Sequence, residues 1–558
     1  MFLLDISIMV AVLIIATILS GCQLNKTADV TSGTQTTAAT NATDNTNPNG
    51  FPDYMNAEGY PILKEKTVYT VLAPRKPSEG EWNSLWIFKE IERRFNIKFE
   101  ITNVNKEAWD EKKNLAFATG DIPDCFLTGI TKTDLLTYGS QGLIIDVGDM
   151  VEKYAPNIIT MINEYPNIKK MMLTPDGKMY GIFGAEVTFR GRTETHRYIN
   201  MNWLNKLNMD IPKTTDDFYQ FLLGIKNNDL NGNGENDEIP QAWKFAVNDK
   251  TFKALLQPFG LLGAYQNVDD NGNVFYGATD IRYKSFLAYL NKLYSEGLID
   301  KECFSQSDDQ YKAKGAMNLY GAFSEVFYTF ITDPEIHKQF DAIPPLTSEV
   351  NDKQIWPSND GKLNNALVIT SKCKKPEALV AFMNWVYTQE GTLTMRAGVE
   401  NGKWEGGEGG WQWTQLDNGE KAVELIIPEG YKNFNDFRNL TITPMVLPFV
   451  NFDPPYPSTQ YMEVVDPGQA KYSEHVRNNY LPYYKTAYPD VMLTVEELDE
   501  ISVAETDVKS YISQMTAKFI TGEVSINEFD NFVKGCKDRG LDKLIKVYTD
   551  AYERWNSN

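Results

Sequence analysis

Strand-like and helix-like stretches alternate from Thr67 to Tyr138, and no other feature of the chain narrows the choice of fold so far. The run 67-TVYTVLA-73 has the β-branched and aromatic composition of a strand. Leu85, Phe88, Ile91 and Phe95 then recur at helical spacing. In 97-IKFEITNV-104 the apolar Ile97, Phe99 and Ile101 alternate with polar residues, the period of a strand with one buried face. A helix is predicted over 108–119 with a stop at Gly120, then a short strand in 122-IPDCFLT-128 and a helix over 133–138. Parallel strands need long crossovers, ordinarily helices, so the pattern predicts an α/β fold on parallel sheet.

A second region begins near 195. There 197-RYINM-201 reads as a strand running into a helix. The next helix, 213-KTTDDFYQFLLGIKNN-228, has Thr214 or Thr215 as cap, Asp216 and Asp217 in its first turn, and Phe218, Phe221, Leu222 and Ile225 as its apolar stripe. Further helices are predicted over 283–299 and 376–388, and two long helical blocks over 494–522 and 525–555. The roughly 500 residues beyond Phe51 exceed what one core organises, so two or more domains are expected.

Charge and motifs remove several functions. A formal net charge of −21 argues against a nucleic-acid partner and against an anionic lipid surface, since both need basic patches. Cys125, Cys303, Cys373 and Cys536 are far apart with no C-x-x-C spacing, so they read as small buried hydrophobes. The chain has no H-E-x-x-H, G-x-S-x-G or phosphate-loop motif, and His196, His337 and His475 are scattered. Glycoside hydrolysis needs only two well-placed carboxylates, so a glycan-processing enzyme stays as an alternative.

The N-terminus reads as an export and anchoring signal. Residues Ile6 to Leu19 are almost all apolar, shorter than the roughly 20 of a membrane span and suited to a signal h-region. The following 19-LSGC-22 resembles the lipobox of bacterial lipoproteins, which implies cleavage before Cys22 and lipid on Cys22. The absence of Lys or Arg from 1-MFLLD-5 departs from the usual basic n-region. Residues 23–50, rich in Thr, Asn and Ala, cannot bury enough apolar surface to offset their ordering entropy and read as a disordered tether.

The stretch 229-DLNGNGENDEIP-240 is the densest polar motif. With Asp229 as position one, Asn231, Asn233, the backbone carbonyl of Glu235 and Asp237 fall at three, five, seven and nine, with Gly234 at six. This matches an EF-hand-like calcium loop, except that Pro240 stands where the twelfth-position Glu belongs; Glu238, at ten, is the substitute carboxylate. An Asn-Gly turn without an ion is the plainer reading. In 269-DDNGNVFYG-277 no carboxylate follows, and an Asn-Gly hairpin between Val268 and Val274 is predicted.

Several segments together resemble extracellular sugar-binding proteins of ABC importers. They are 115-LAFATGDIPDCFL-127, 197-RYINMNWLNKLNMDIPKTTDDFYQFL-222, 376-PEALVAFMNWVYTQEG-391 and 519-FITGEVSINEFDNFV-533, the last similar to the larger oligosaccharide- and alginate-binding members. The resemblance implies a two-lobe periplasmic-binding-protein-like α/β fold with a hinge, a central ligand cleft and a helical C-terminal part. It implies a monomeric, non-enzymatic receptor that hands an oligosaccharide to ABC permease subunits; a sensor kinase is the alternative recipient. It also implies structural calcium on Asp229, Asn231, Asn233, Glu235, Asp237 and Glu238.

On this basis residues 1–21 are expected to be signal peptide and 22–50 tether. Residues 51–195 should form mainly lobe 1 and 196–390 mainly lobe 2, crossing back near 340–375. Residues 391–558 should supply cleft loops and C-terminal helices. The expected ligand residues are Trp86 at the opening of the first helix, Asp124 in the Gly-Asp-x-Pro-Asp turn, and Arg190, with Arg192 beside it, in 189-FRGR-192. Trp356, after the strand-like 339-QFDAIPPL-346, and Trp411 and Trp413, in the glycine-rich 404-WEGGEGGWQW-413, complete the set.

Overall fold

The computed structural model describes residues 50–327, 330–331, 333–415, 421–444, 446–451 and 473–557. Cys22, the apolar run and the tether lie outside the described residues.

Two sheets organise the chain. The first has six strands in the order Val450–Asn451, Ile182–Glu186, Lys362–Ile369, Cys125–Phe126, Thr67–Arg75 and Ile97–Asn105. All run parallel except Lys362–Ile369, which is antiparallel to both neighbours. Position in the sheet explains the sequence patterns. The inner strand Thr67–Arg75 is buried continuously from Val71 to Pro74, because both faces are covered. Ile97–Asn105, at the edge, alternates buried and exposed residues, as its sequence does. Helix Trp86–Phe95 buries Ile87, Phe88, Ile91 and Phe95 and ends at Asn96 in the left-handed conformation, φ 59°. Full burial of each such side chain stabilises by about 1.5–3 kcal/mol.

The second sheet has the order Phe340–Ala342, His196–Asn200, Tyr320–Glu325 and Ile239–Gln241, and its last two strands are parallel. Helix Thr215–Lys226 packs Phe218, Phe221, Leu222 and Ile225 into this lobe. Thr214 is its cap: the Thr214 side chain accepts from Asp217 N–H, and Asp217 accepts in return from Thr214 N–H. The C-terminal helices join the same core. Val495–Thr521 contributes Ile501, Val508, Ile512 and Phe519, and Leu541–Ser557 contributes Leu544 and Val547. The second predicted block is interrupted: helix Phe529–Lys537 ends before Gly540, which takes φ 99°, a conformation costly for residues with a Cβ.

The chain passes between the lobes through residues 187–195, then through Trp356–Ser358, which pairs in parallel with Tyr484–Thr486. Trp555, near the C-terminus, packs into the first lobe's core. The glycine-rich tryptophan segment is not the irregular loop its sequence indicates. It forms a tight hairpin, Lys403–Trp404 with Gly407–Glu408, then strand Gly410–Gln415 paired with Lys421–Ile426. Glycine supplies the backbone geometry there: Gly410 takes φ 128°, and a Cβ on it would lie 2.3 Å from the Val399 carbonyl oxygen. The 266–276 hairpin forms as expected, with Val268 opposite Val274.

Candidate functional site

The carboxyl ends of parallel strands are where an open α/β sheet exposes backbone and loops to a ligand. In lobe 2 those are the ends of Ile239–Gln241 and Tyr320–Glu325. A cavity of about 590 Å³ opens there, bounded by residues 244–253, by Ser324 and Glu325, and by the crossing residues Arg192, Glu194 and 357–359. Three elements hold this wall. Thr195 Oγ1 donates to Lys250 O at 2.9 Å, tying the first crossing to the start of helix Lys250–Leu256. Asp249 caps that helix, accepting from Phe252 N–H at 2.6 Å and from Trp243 Nε1–H at 3.0 Å. Lys250 is ion-paired with Glu325 at the strand end. Half-buried Tyr265 and Tyr488, and the buried Tyr311, also line the cavity.

Burial dominates the electrostatics of Asp249: it pushes the carboxyl up from 3.8 to about 6, against the lowering effect of its backbone and indole donors, with Glu325 adding to the rise. His196, paired with Glu325 across the sheet, is pushed the other way. Burial lowers it to about 3, so it is a neutral core imidazole at physiological pH. Its Nδ1 lies 3.1 Å from Val326 O.

In lobe 1 the corresponding edge is polar. Thr128 Oγ1 donates to Asn365 Oδ1 at 2.5 Å, Asn364 Nδ2 to Phe449 O at 3.0 Å, and Asn451 Nδ2 to Glu186. Glu186 ends the strand that runs into the first crossing, so this edge and the lobe 2 cavity lie on the same side of the molecule.

Three of the six predicted ligand residues, Trp86, Trp411 and Trp413, meet in one cluster beside a second cavity, whereas Asp124, Arg190 and Trp356 lie elsewhere. Trp356 is 0% exposed; its Nε1–H donates to Thr195 O at 2.9 Å and its ring lies 4.5 Å from that of Tyr480, so it is core rather than wall. Trp411 is buried, donating to Gly398 O at 3.0 Å within a small cluster with Phe434 and Phe437. Trp413 is half-buried and edge-on to Trp411 at 5.2 Å. Asp124 is at the amino end of its strand, the opposite edge of the sheet, where its Oδ2 accepts from Thr70 N–H and Oγ1–H at 2.8 Å. Arg190 donates to Ser473 Oγ at 2.8 Å in the crossing. Trp86 is half-buried, 6.3 Å from Trp404, on a second cavity of about 760 Å³ between its helix and the 403–408 hairpin. Residues that sequence reasoning passed over, Asp249, Lys250 and Glu325, line the first cavity. The one sequence signal for them is Asn-Asp before the helical 250–256, which reads as a cap.

The loop 229–238 joins helix Thr215–Lys226 to strand Ile239–Gln241. Asp229 accepts from Gly232 N–H at 2.7 Å and Gly234 N–H at 2.9 Å. The amides of Asn231 and Asn233 both reach Asp237 at 3.1 Å, so these three side chains converge. Glu238 Oε1 accepts from Leu230 and Asn231 N–H, and the Glu235 side chain is exposed, leaving only its carbonyl as a donor. Among the described residues no group of three or more His, Cys, Asp or Glu converges as a metal cluster. The loop's donors are instead mixed carboxylate, amide and carbonyl oxygens, a set that suits a hard cation.

The profile of the bacterial extracellular solute-binding protein family matches residues 85–393. The chain belongs to that family. It is 28% identical over 512 residues to the fructooligosaccharide ABC transporter substrate-binding protein FusA of Streptococcus pneumoniae, a match covering 89% of this chain and 92% of the relative. Its fold is similar to that of FusA in complex with kestose, with TM-score 0.70 and 26% identity over 88% of this chain and 100% of that one. An EF-hand mutant of FusA in complex with fructo-nystose is similar to the same degree, with TM-score 0.70 and 25% identity over 88% and 100%.

Proposed function

We propose that the protein is the oligosaccharide receptor of an ABC importer, held outside the membrane by lipid on Cys22. In this reading the ligand is captured between the lobes, against the wall formed by residues 244–253 and Glu325. A single copy then delivers it to the permease subunits without altering it. The observation that carries the reading is the cavity itself. It lies at the carboxyl ends of the lobe 2 strands, is bordered by two interlobe crossings, and is lined by tyrosines beside paired charged groups. Rings stack on the apolar faces of sugars while charged heads hydrogen-bond their hydroxyls. The similarity to FusA supports an oligosaccharide rather than an amino acid or peptide.

Calcium is proposed to fasten lobe 2 through Asp229, Asn231, Asn233, the Glu235 carbonyl, Asp237 and Glu238. When bound, the ion would supply positive charge that holds these oxygens together. The loop lies between two elements of one lobe, so its role is structural. Titration calorimetry with a panel of oligosaccharides tests the receptor reading. Saturable binding with the glycan recovered intact supports it; conversion of any glycan to shorter products turns it toward an enzyme.

A further inference from the structure

The charges of the lobe 2 cavity carry information about which oligosaccharide enters. Four cationic and four carboxylate side chains line it. Most are already matched. Lys244 Nζ lies 2.5 Å from Asp308, and Lys250 is paired with Glu325. Glu194 lies 3.4 Å from Lys362 of lobe 1. Arg192 donates through Nε to Asn359 O at 2.9 Å, lies 3.8 Å from Asp360, and sits over the Tyr484 ring at 5.6 Å. Among the described residues only Lys253 of the lining cations and Asp249 of the lining carboxylates have no ion pair, so even these two balance. Recognition of uronates or sulfated sugars draws on guanidinium forks open to bind carboxylate or sulfate in two-pronged fashion. The one lining arginine spends its Nε on Asn359 O and faces Asp360, which offsets its charge. Asp249 adds a recessed negative group, and the net charge of −21 repels a polyanion at long range.

Resting on the receptor reading above, we infer that this cavity selects a neutral oligosaccharide and rejects acidic ones, because its four cations are balanced by four lining carboxylates and two of its three lysines are held in direct ion pairs. A neutral sugar loses nothing by this arrangement: each ion pair still offers both donors and acceptors to hydroxyl groups, and the rings remain. To gain Lys250 or Lys244 an acidic sugar would have to displace Glu325 or Asp308, and the one lysine outside an ion pair, Lys253, is offset by Asp249 in the same lining.

The test is calorimetry on the calcium-loaded protein with two sets of ligands of equal chain length. The neutral set holds fructo-, manno- and cello-oligosaccharides; the acidic set holds oligogalacturonates and oligoalginates. Binding of a neutral ligand, with every acidic ligand at least about 100-fold weaker, is the expected result. Tighter, salt-sensitive binding of an acidic ligand would overturn the inference and leave the receptor reading standing. Failure of both sets against a cooperatively folded protein would overturn the receptor reading and the inference with it. The variant Glu325→Gln uncovers Lys250 and should bring acidic ligands within about 10-fold of the neutral ones, an effect that fades with added salt. Unchanged rejection by that variant would overturn charge pairing as the cause.

Discussion

Two polar loops of lobe 2, 229–238 and 244–253, use similar residues to different ends. In the first, the carboxylates of Asp229 and Glu238 are turned onto their own loop's backbone amides, and the amides of Asn231 and Asn233 are turned onto Asp237. In the second, Asp249 secures a helix start and an indole, while its neighbours Lys244 and Lys250 reach across a cavity to other elements. The density of acidic and amide residues is higher in the first loop, yet the cavity is lined by the second. The first cluster closes on itself within one loop; the second ties several elements together around a cavity.

The largest effect is expected behind the second loop. Trp356→Ala removes a fully buried indole and its hydrogen bond to Thr195, whose hydroxyl anchors Lys250. It should cost about 3–5 kcal/mol in urea unfolding; a loss under about 1 kcal/mol would place Trp356 outside the core. Next in size is the first loop. Excess chelator should lower the unfolding free energy by about 2–3 kcal/mol, as expected for an ion held near 100-fold above its dissociation constant. Asp229→Ala should abolish that response. A melting curve indifferent to chelator, in protein purified without calcium, removes the metal.

Acid titration distinguishes His196 of the lobe 2 core from Asp249 of the wall by sign. The folded pKa of His196, about 3, is below its ordinary 6.5, so its contribution is present above 6.5 and is lost as pH falls toward 3. That of Asp249, about 6, is above 3.8, so stability is greater below 3.8 and is lost as pH rises through 6. Asp249→Asn should therefore gain on the wild type between pH 4 and pH 7, and His196→Gln should gain on it in the opposite direction, as pH falls from 7 to 4. Unfolding curves at these pH values, fitted for each variant, decide the signs. The smallest effect is expected at the exposed hairpin. Asp269→Ala loses only bonds to Asn271 and Asn273 in a solvent-facing turn, and should change stability by about 1 kcal/mol or less and leave the chelator response intact.

Much of the scaffold was legible because it follows from period and capping. The alternation through Tyr138, the Thr214 cap and the Val268–Val274 hairpin need only local rules. The ligand wall was less legible, for a physical reason. Tryptophan in a glycine-rich or interdomain segment signals either a stacking platform or a core plug, and composition does not distinguish them. Trp356 and Trp411 are plugs because other elements enclose them, a fact set by residues elsewhere in the chain, Tyr480 and Leu425 among them. Asp249 and Glu325 looked ordinary because each is significant only through the other element's position. Asp124 precedes Cys125, at the amino edge of the sheet, whereas the cavity side is the carboxyl edge.

The central claim is that the 244–253 wall with Glu325 binds an oligosaccharide. Calorimetric titration of a fructooligosaccharide into the wild type and into Lys250→Ala tests it most directly. The account predicts saturable binding with a stoichiometry near one to the wild type, weakened at least about 10-fold by the substitution while the melting temperature moves little. Equal affinity in the two proteins would contradict it and place the ligand elsewhere on the molecule.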